Sequence, residues 1–133
     1  MSHSKTILVV DDDVDLLEQV SSAMSARGFD VVTAGGQQEA ENKLLSIQPD
    51  LAIVDLMMEH SDSGFVLCHE LKQLYPDTPV ILLTAVTAAT GMRFASEDGR
   101  ERAWIEADSL LDKPVRPDRL AHEVDRLLAA ISA

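Results

Sequence analysis

A single cysteine, Cys68, stands in 133 residues, so no disulfide can form within the chain. A reducing compartment suits that usage, and inside the apolar pattern of Leu67, Leu71 and Leu74 the thiol reads as a small core residue rather than a nucleophile. Basic residues are also scarce. Eleven Lys and Arg face 23 Asp and Glu, giving a formal net charge of −12, which argues against this domain gripping a polyanion such as DNA by itself. Long apolar runs are missing, so no membrane span is expected. The polar start Met1-Ser2-His3-Ser4-Lys5 leads into Ile7 to Val10 and then at once into aspartates, without the apolar region of a secretory signal. A cytoplasmic location is the expectation. Low-complexity segments, linkers and internal repeats beyond a strand-helix alternation are absent too. The remainder, 46% hydrophobic and 26% charged, is the composition of one globular domain, large enough to fold without a disulfide or a structural metal.

The most informative stretch is Pro49-Asp50-Leu51-Ala52-Ile53-Val54-Asp55-Leu56-Met57-Met58. An unbroken apolar run ending on one carboxylate reads as a buried central strand that delivers Asp55 to the rim of a sheet. Other segments repeat the arrangement. Lys5 to Val10 is a short apolar strand that stops at Asp11-Asp12-Asp13; Leu16, Leu17, Val20 and Met24 then recur at helical spacing, with Gly28 placed to close the helix. Asp30 to Ala34 predicts a second strand, followed by a helix with Ala40, Leu44 and Ile47 on one face. Past the polar loop 59–64, Leu67, Leu71 and Leu74 mark a third helix, closed by Tyr75-Pro76. Pro79 to Thr84 predicts the fourth strand, Ser109 to Asp112 a weak fifth, and a final helix starts near Pro117 with Leu120, Val124, Leu127 and Ile131 on one face. Residues 85–107, rich in Ala and Thr and interrupted by Gly91 and Gly99, predict one short or broken helix in a long loop.

Strands that are apolar throughout, separated by helices at short spacing, imply an α/β, doubly wound parallel sheet with helices on both faces. Such sheets bind ligands beyond the carboxyl ends of their strands. Asp11, Asp12, Asp55, Thr84 and Lys113 all fall at those ends. Carboxylates brought together repel one another unless a cation sits among them, and an oxygen-only donor set suits Mg2+ or Mn2+. A carboxylate that also faces an ammonium and a hydroxyl has the surroundings of a phosphoryl acceptor. Asp55 would attack in line, the metal and Lys113 would neutralise the transferring group, and Thr84 would donate a hydrogen bond to one of its oxygens. Asp13 and Asp15 read instead as the N-cap and first-turn acid of the helix that follows. A calcium loop is excluded because Leu16 stands where its turn needs Gly and Ser22 where its bidentate Glu belongs. Met57 and Met58 read as cover, and His60, His69 and His122 lack metal-ligand spacing. Trp104, near Arg100 and Arg102, reads as a lid on the end of the sheet.

Taken jointly and in order, Ile7-Leu8-Val9-Val10-Asp11-Asp12-Asp13, the stretch from Pro49 to Met58, Leu82-Leu83-Thr84-Ala85 and Leu111-Asp112-Lys113-Pro114 resemble the receiver domain of bacterial two-component response regulators. The resemblance covers residues 5–131. It implies a flavodoxin-like sheet of strand order 2-1-3-4-5, with no second domain. It implies Mg2+ held by Asp11, Asp12, Asp55 and the backbone carbonyl of Met57, Thr84 and Lys113 contacting the phosphoryl group on Asp55, and a cis peptide between Lys113 and Pro114. The partners it implies are a sensor histidine kinase or a histidine phosphotransfer protein, plus a downstream protein. The acyl phosphate would signal by shifting a conformational equilibrium and then hydrolyse, so the domain catalyses its own modification and is not an enzyme with an external product.

The chain departs from the family pattern in three places. Glu59 stands where a proline is common and Gly64 lies one residue late, which predicts a longer, more mobile loop after Asp55. Leu110 occupies the position three before Lys113, usually Tyr or Phe in regulators that switch through an aromatic swing, so that device is not expected. Thr84 to Lys113 is several residues longer than usual, with Glu106 replacing a small Gly. Rival readings are a non-phosphorylated interaction module on the same fold and a small phosphatase of the haloacid-dehalogenase type. The phosphatase motif would want Thr or Val in place of Asp15, and the chain has no room for its usual cap. A flavin site is disfavoured by an Asp-rich first turn where a phosphate cradle would stand.

Overall fold

The computed structural model describes residues 5–56, 63–84, 107–113 and 115–132. Along them run β1 (Thr6–Val10), α1 (Val14–Ala26), β2 (Asp30–Ala34), α2 (Gln37–Leu44), β3 (Leu51–Asp55), α3 (Ser63–Leu74), β4 (Val80–Thr84), β5 (Ser109–Asp112) and α4 (Pro117–Ser132). All strand pairs are parallel, and the order across the sheet is β2-β1-β3-β4-β5, as expected. Burial follows that order. Every residue of the central strands β3 and β4 is buried, which is why they read as continuous apolar runs. The edge strands β2 and β5 are only partly buried and can carry Asp30, Ser109 and Asp112. The faint signal of the fifth strand is therefore that of an edge.

The two faces of the sheet hold separate cores. Ile7, Val9, Ile53, Ile81 and Leu83 point toward α1 and α4, where Val20, Met24, Leu120, Val124 and Leu127 meet them. Leu8, Val10, Ala52, Val54 and Leu82 point the other way, onto Ala40 and Leu44 of α2 and Leu67, Cys68 and Leu71 of α3. Each large aliphatic side chain so enclosed is worth about 1.5–3 kcal/mol, so the two layers fix where every strand ends.

Helix ends match local chemistry. The Asp13 carboxylate caps α1 by accepting the N–H groups of Asp15 at 3.0 Å and Leu16 at 3.3 Å. Gly28, at φ 94°, takes the left-handed conformation after the last turn. Two expectations need correction. α2 ends at Leu44, so Ile47 lies beyond it; the Tyr75 hydroxyl donates to the carbonyls of Leu44 and Ile47 at 2.9 and 3.3 Å and turns the chain there. Leu74, expected on the buried face of α3, is 51% exposed, while Leu71 and then Tyr75, four residues on, hold the core face. The Met57 carbonyl, the loop 57–62 with His60, residues 85–106 with their expected helix and Trp104, the Lys113–Pro114 peptide and the Ile131 side chain lie outside the described residues.

Candidate functional site: an acidic cluster at the strand ends

Register brings the predicted residues together. Val10 is level with Val54, Asp55 with Leu83, and Thr84 with Asp112. Asp11 and Asp55 thus emerge side by side from β1 and β3, while Thr84 and Lys113 complete the ends of β4 and β5. Backbone bonds carry the ladder past the strands: the N–H of Asp11 donates to the Ala34 carbonyl at 3.1 Å, that of Leu56 to Leu83 at 2.8 Å, and that of Lys113 to Thr84 at 2.7 Å. Asp11, Asp55 and Thr84 are buried, at 0%, 5% and 1% exposure. Asp12 is exposed and keeps the cluster open to solvent on one side.

Carboxylate oxygens of Asp11, Asp12 and Asp55 lie within 4.8 Å of one another. Lys113 Nζ reaches into the same space, 2.9 Å from Asp11 Oδ2 and 3.1 Å from Asp55 Oδ1. The other Asp11 oxygen, Oδ1, accepts the Asp13 N–H at 2.9 Å. Burial pushes the Asp11 carboxyl above its ordinary value, against the Asp13 N–H and Lys113. Burial and then the Asp11 charge push Asp55 from 3.8 up to about 6, with Lys113 opposing. Burial works against the Lys113 charge as well, but Asp11 and Asp55 outweigh it and hold the lysine above its usual range.

Three carboxylates and one ammonium leave two negative charges uncompensated, which matches a divalent ion. Asp11, Asp12 and Asp55 would each offer such an ion one hard oxygen ligand. The donor set therefore fits such a metal.

Gly64, read from the sequence only as a displaced loop glycine, has a steric role that the sequence did not show. A Cβ added there would overlap the Leu56 Cα and stand 2.5 Å from the Asp55 carbonyl oxygen, while its N–H donates to the Leu56 carbonyl at 2.7 Å. Only glycine lets α3 begin directly against the end of β3. The available signal was a glycine nine residues after the strand-end carboxylate. Also unforeseen was Lys113 pairing with Asp11 as well as Asp55.

The sequence profile of the response regulator receiver domain matches residues 7–125. The heme response regulator HssR of Staphylococcus saprophyticus is 35% identical over 123 residues, 92% of this chain and 51% of that protein. The chain spans about half the length of that curated relative. Among solved structures, the chemotaxis response regulator CheY4 of Vibrio cholerae is 27% identical with a TM-score of 0.78, covering 94% of this chain and 99% of its own. A CheY-like receiver domain protein from Methanospirillum hungatei JF-1 superposes with a TM-score of 0.81 over 98% of both chains, at 23% identity.

Proposed function

Since the chain belongs to the response regulator receiver family of two-component signalling, we propose that Asp55 is its phosphoacceptor and that residues 5–131 act as one Mg2+-dependent switch unit. The observation that carries this reading is Lys113 Nζ set between the buried carboxylates of Asp11 and Asp55, with the open Asp12 beside them. In the step we infer, a carboxylate oxygen of Asp55 forms a P–O bond as the P–N bond of a phosphohistidine breaks, and the freed imidazole takes a proton from solvent. Asp11, Asp12 and Asp55, with the Met57 carbonyl as a further ligand, would hold a divalent cation, which would supply positive charge to the phosphoryl oxygens. Lys113 moves from its two carboxylates onto the phosphoryl group, and Thr84, at the end of the neighbouring strand, donates its hydroxyl.

Asp11 does not suit the nucleophile's role, because Lys113 and the Asp13 N–H engage both its oxygens. That weighs against a phosphatase built on the first strand. The phosphodonor is a histidine kinase or a histidine phosphotransfer protein, the output is a protein partner, and no product leaves the domain except inorganic phosphate when the acyl phosphate hydrolyses. Incubation with acetyl phosphate and Mg2+ followed by intact mass measurement tests the reading. One phosphoryl group should add to the wild type and none to Asp55→Asn. An unchanged wild-type mass, or equal gain in the variant, would overturn it.

A further inference from the structure

At the opposite end of the sheet from the acidic cluster, a polar network joins the starts of β3, β4 and β5. The N–H of Asp108, the residue before β5, donates to the Val80 carbonyl at 2.8 Å, and Asp108 Oδ2 accepts the Val80 N–H, also at 2.8 Å. Lys72 Nζ, in the last turn of α3, donates to the same carboxylate oxygen at 2.8 Å and to the Thr78 carbonyl at 2.8 Å. The Thr78 hydroxyl in turn donates to the Pro49 carbonyl at 2.9 Å, just ahead of β3. Asp108 is thus bound twice to the first residue of β4, and an ammonium fixes its carboxylate from a third direction.

The strand that follows has little else to set its alignment. β5 is four residues long, stands at the sheet edge and, among the described residues, pairs with β4 alone. Of its residues only Leu111 is buried, and Leu110 beside it is 40% exposed. A slip of one residue would seat Leu110 in the place of Leu111, apolar for apolar, so the hydrophobic pattern separates the two registers weakly. The same slip would carry Lys113 about 3.3 Å along the strand and bring Asp112 to its place. A fourth carboxylate would then stand where the ammonium now lies 2.9 Å from Asp11 and 3.1 Å from Asp55. Ser109 Oγ donates to Glu123 at 2.6 Å, but that bond ties β5 to α4 and not to β4. We propose that Asp108, steadied by Lys72, is a register bracket for β5 and thereby a positioning residue for Lys113, whose part in phosphoryl transfer is the reading given above.

NMR coupling through the 2.7 Å hydrogen bond from the Lys113 N–H to the Thr84 carbonyl, measured in EDTA, reads the register directly. Asp108→Ala should lose it. Asp108→Asn keeps an oxygen acceptor for the Val80 N–H and should retain the coupling, as should Ser109→Ala, which cuts only the tie to α4. With acetyl phosphate and Mg2+, Asp108→Ala should be phosphorylated about tenfold or more slowly, because small misplacements of a reacting group are costly. The other two variants should match wild type. If Asp108→Ala fails to fold, Lys72→Met decides, with losses expected in the same two measurements. The coupling involves no phosphoryl chemistry, so the bracket stands or falls on it even if the wild type takes up no phosphoryl group. A Lys113–Thr84 coupling that persists in Asp108→Ala, or a wild-type phosphorylation rate once the coupling is lost, would overturn the proposal.

Discussion

Asp55→Asn should stabilise the metal-free protein at pH 8. Asp55 is 5% exposed and its carboxyl is pushed from 3.8 to about 6 by burial and by Asp11, even though Lys113 stands 3.1 Å away. A tenfold change in proton affinity corresponds to about 1.4 kcal/mol, so ionised Asp55 costs the fold at most about 3 kcal/mol. Discounting for the open side of the cluster at Asp12, we expect about 1–2 kcal/mol, or some 3–8 °C in Tm for a domain of this size. The sign follows from linkage. Between about 3.8 and 6 the folded state holds the proton that the unfolded state has released, so stability from this site is fully present below 3.8 and is lost as pH rises through about 6. The variant's advantage should therefore be large at pH 8 and small at pH 4.5. Urea or thermal unfolding in EDTA at both pH values measures it. Saturating Mg2+ should reverse the ranking, since a ligand at a hundred times its Kd adds about 2.7 kcal/mol to the folded wild type. A variant less stable than wild type at pH 8 in EDTA, or a gain equal at both pH values, would refute the electrostatic account of the cluster.

Lys113→Met removes the cation that faces Asp11 at 2.9 Å and Asp55 at 3.1 Å. Leaving two buried carboxylates unpaired should lower urea stability at pH 7.5 by about 3 kcal/mol, with recovery toward pH 5 as Asp55 takes up a proton. Gly64→Ala forces a Cβ into the backbone of Asp55 and Leu56; about 2–3 kcal/mol of destabilisation should appear in denaturant melts, together with slower phosphorylation by acetyl phosphate. Asp13→Ala removes only the α1 cap, so it should cost about 1 kcal/mol by thermal melting and leave the phosphorylated mass fraction unchanged.

The sheet was legible because burial on both faces forces each central strand into an unbroken apolar run, and such a run shows where it stops. Asp11 after Val10 and Asp55 after Val54 were therefore readable as neighbours, and the register pairs those two valines. Asp13 was separable from Asp11 and Asp12 because an N-cap answers to local backbone chemistry. What escaped depends on approach between segments far apart in the chain. Nothing near Gly64 announces that a side chain there would run into the backbone of Asp55 and Leu56. Ile47 and Leu74 failed for the same reason in reverse: α2 stops at Leu44, and at the end of α3 Leu71 and Tyr75, four residues apart, take the core face that Leu74 was expected to share.

The Asp55 environment sets two demands against each other. An acceptor must be ionised to attack, yet a carboxylate that is too well stabilised is a poor nucleophile. Burial and Asp11 raise its basicity, while Lys113 limits the rise, and a value of about 6 leaves the group mostly ionised at neutral pH but more basic than a free aspartate. In the proposed phosphorylated state Lys113 would meet a new dianionic group in place of a carboxylate. The unphosphorylated cluster is then the less satisfied of the two charge arrangements, with two carboxylates sharing one ammonium. A phosphoryl group and a divalent ion together would supply what it lacks, so the same imbalance that lowers stability in EDTA would favour the phosphorylated, metal-bound state.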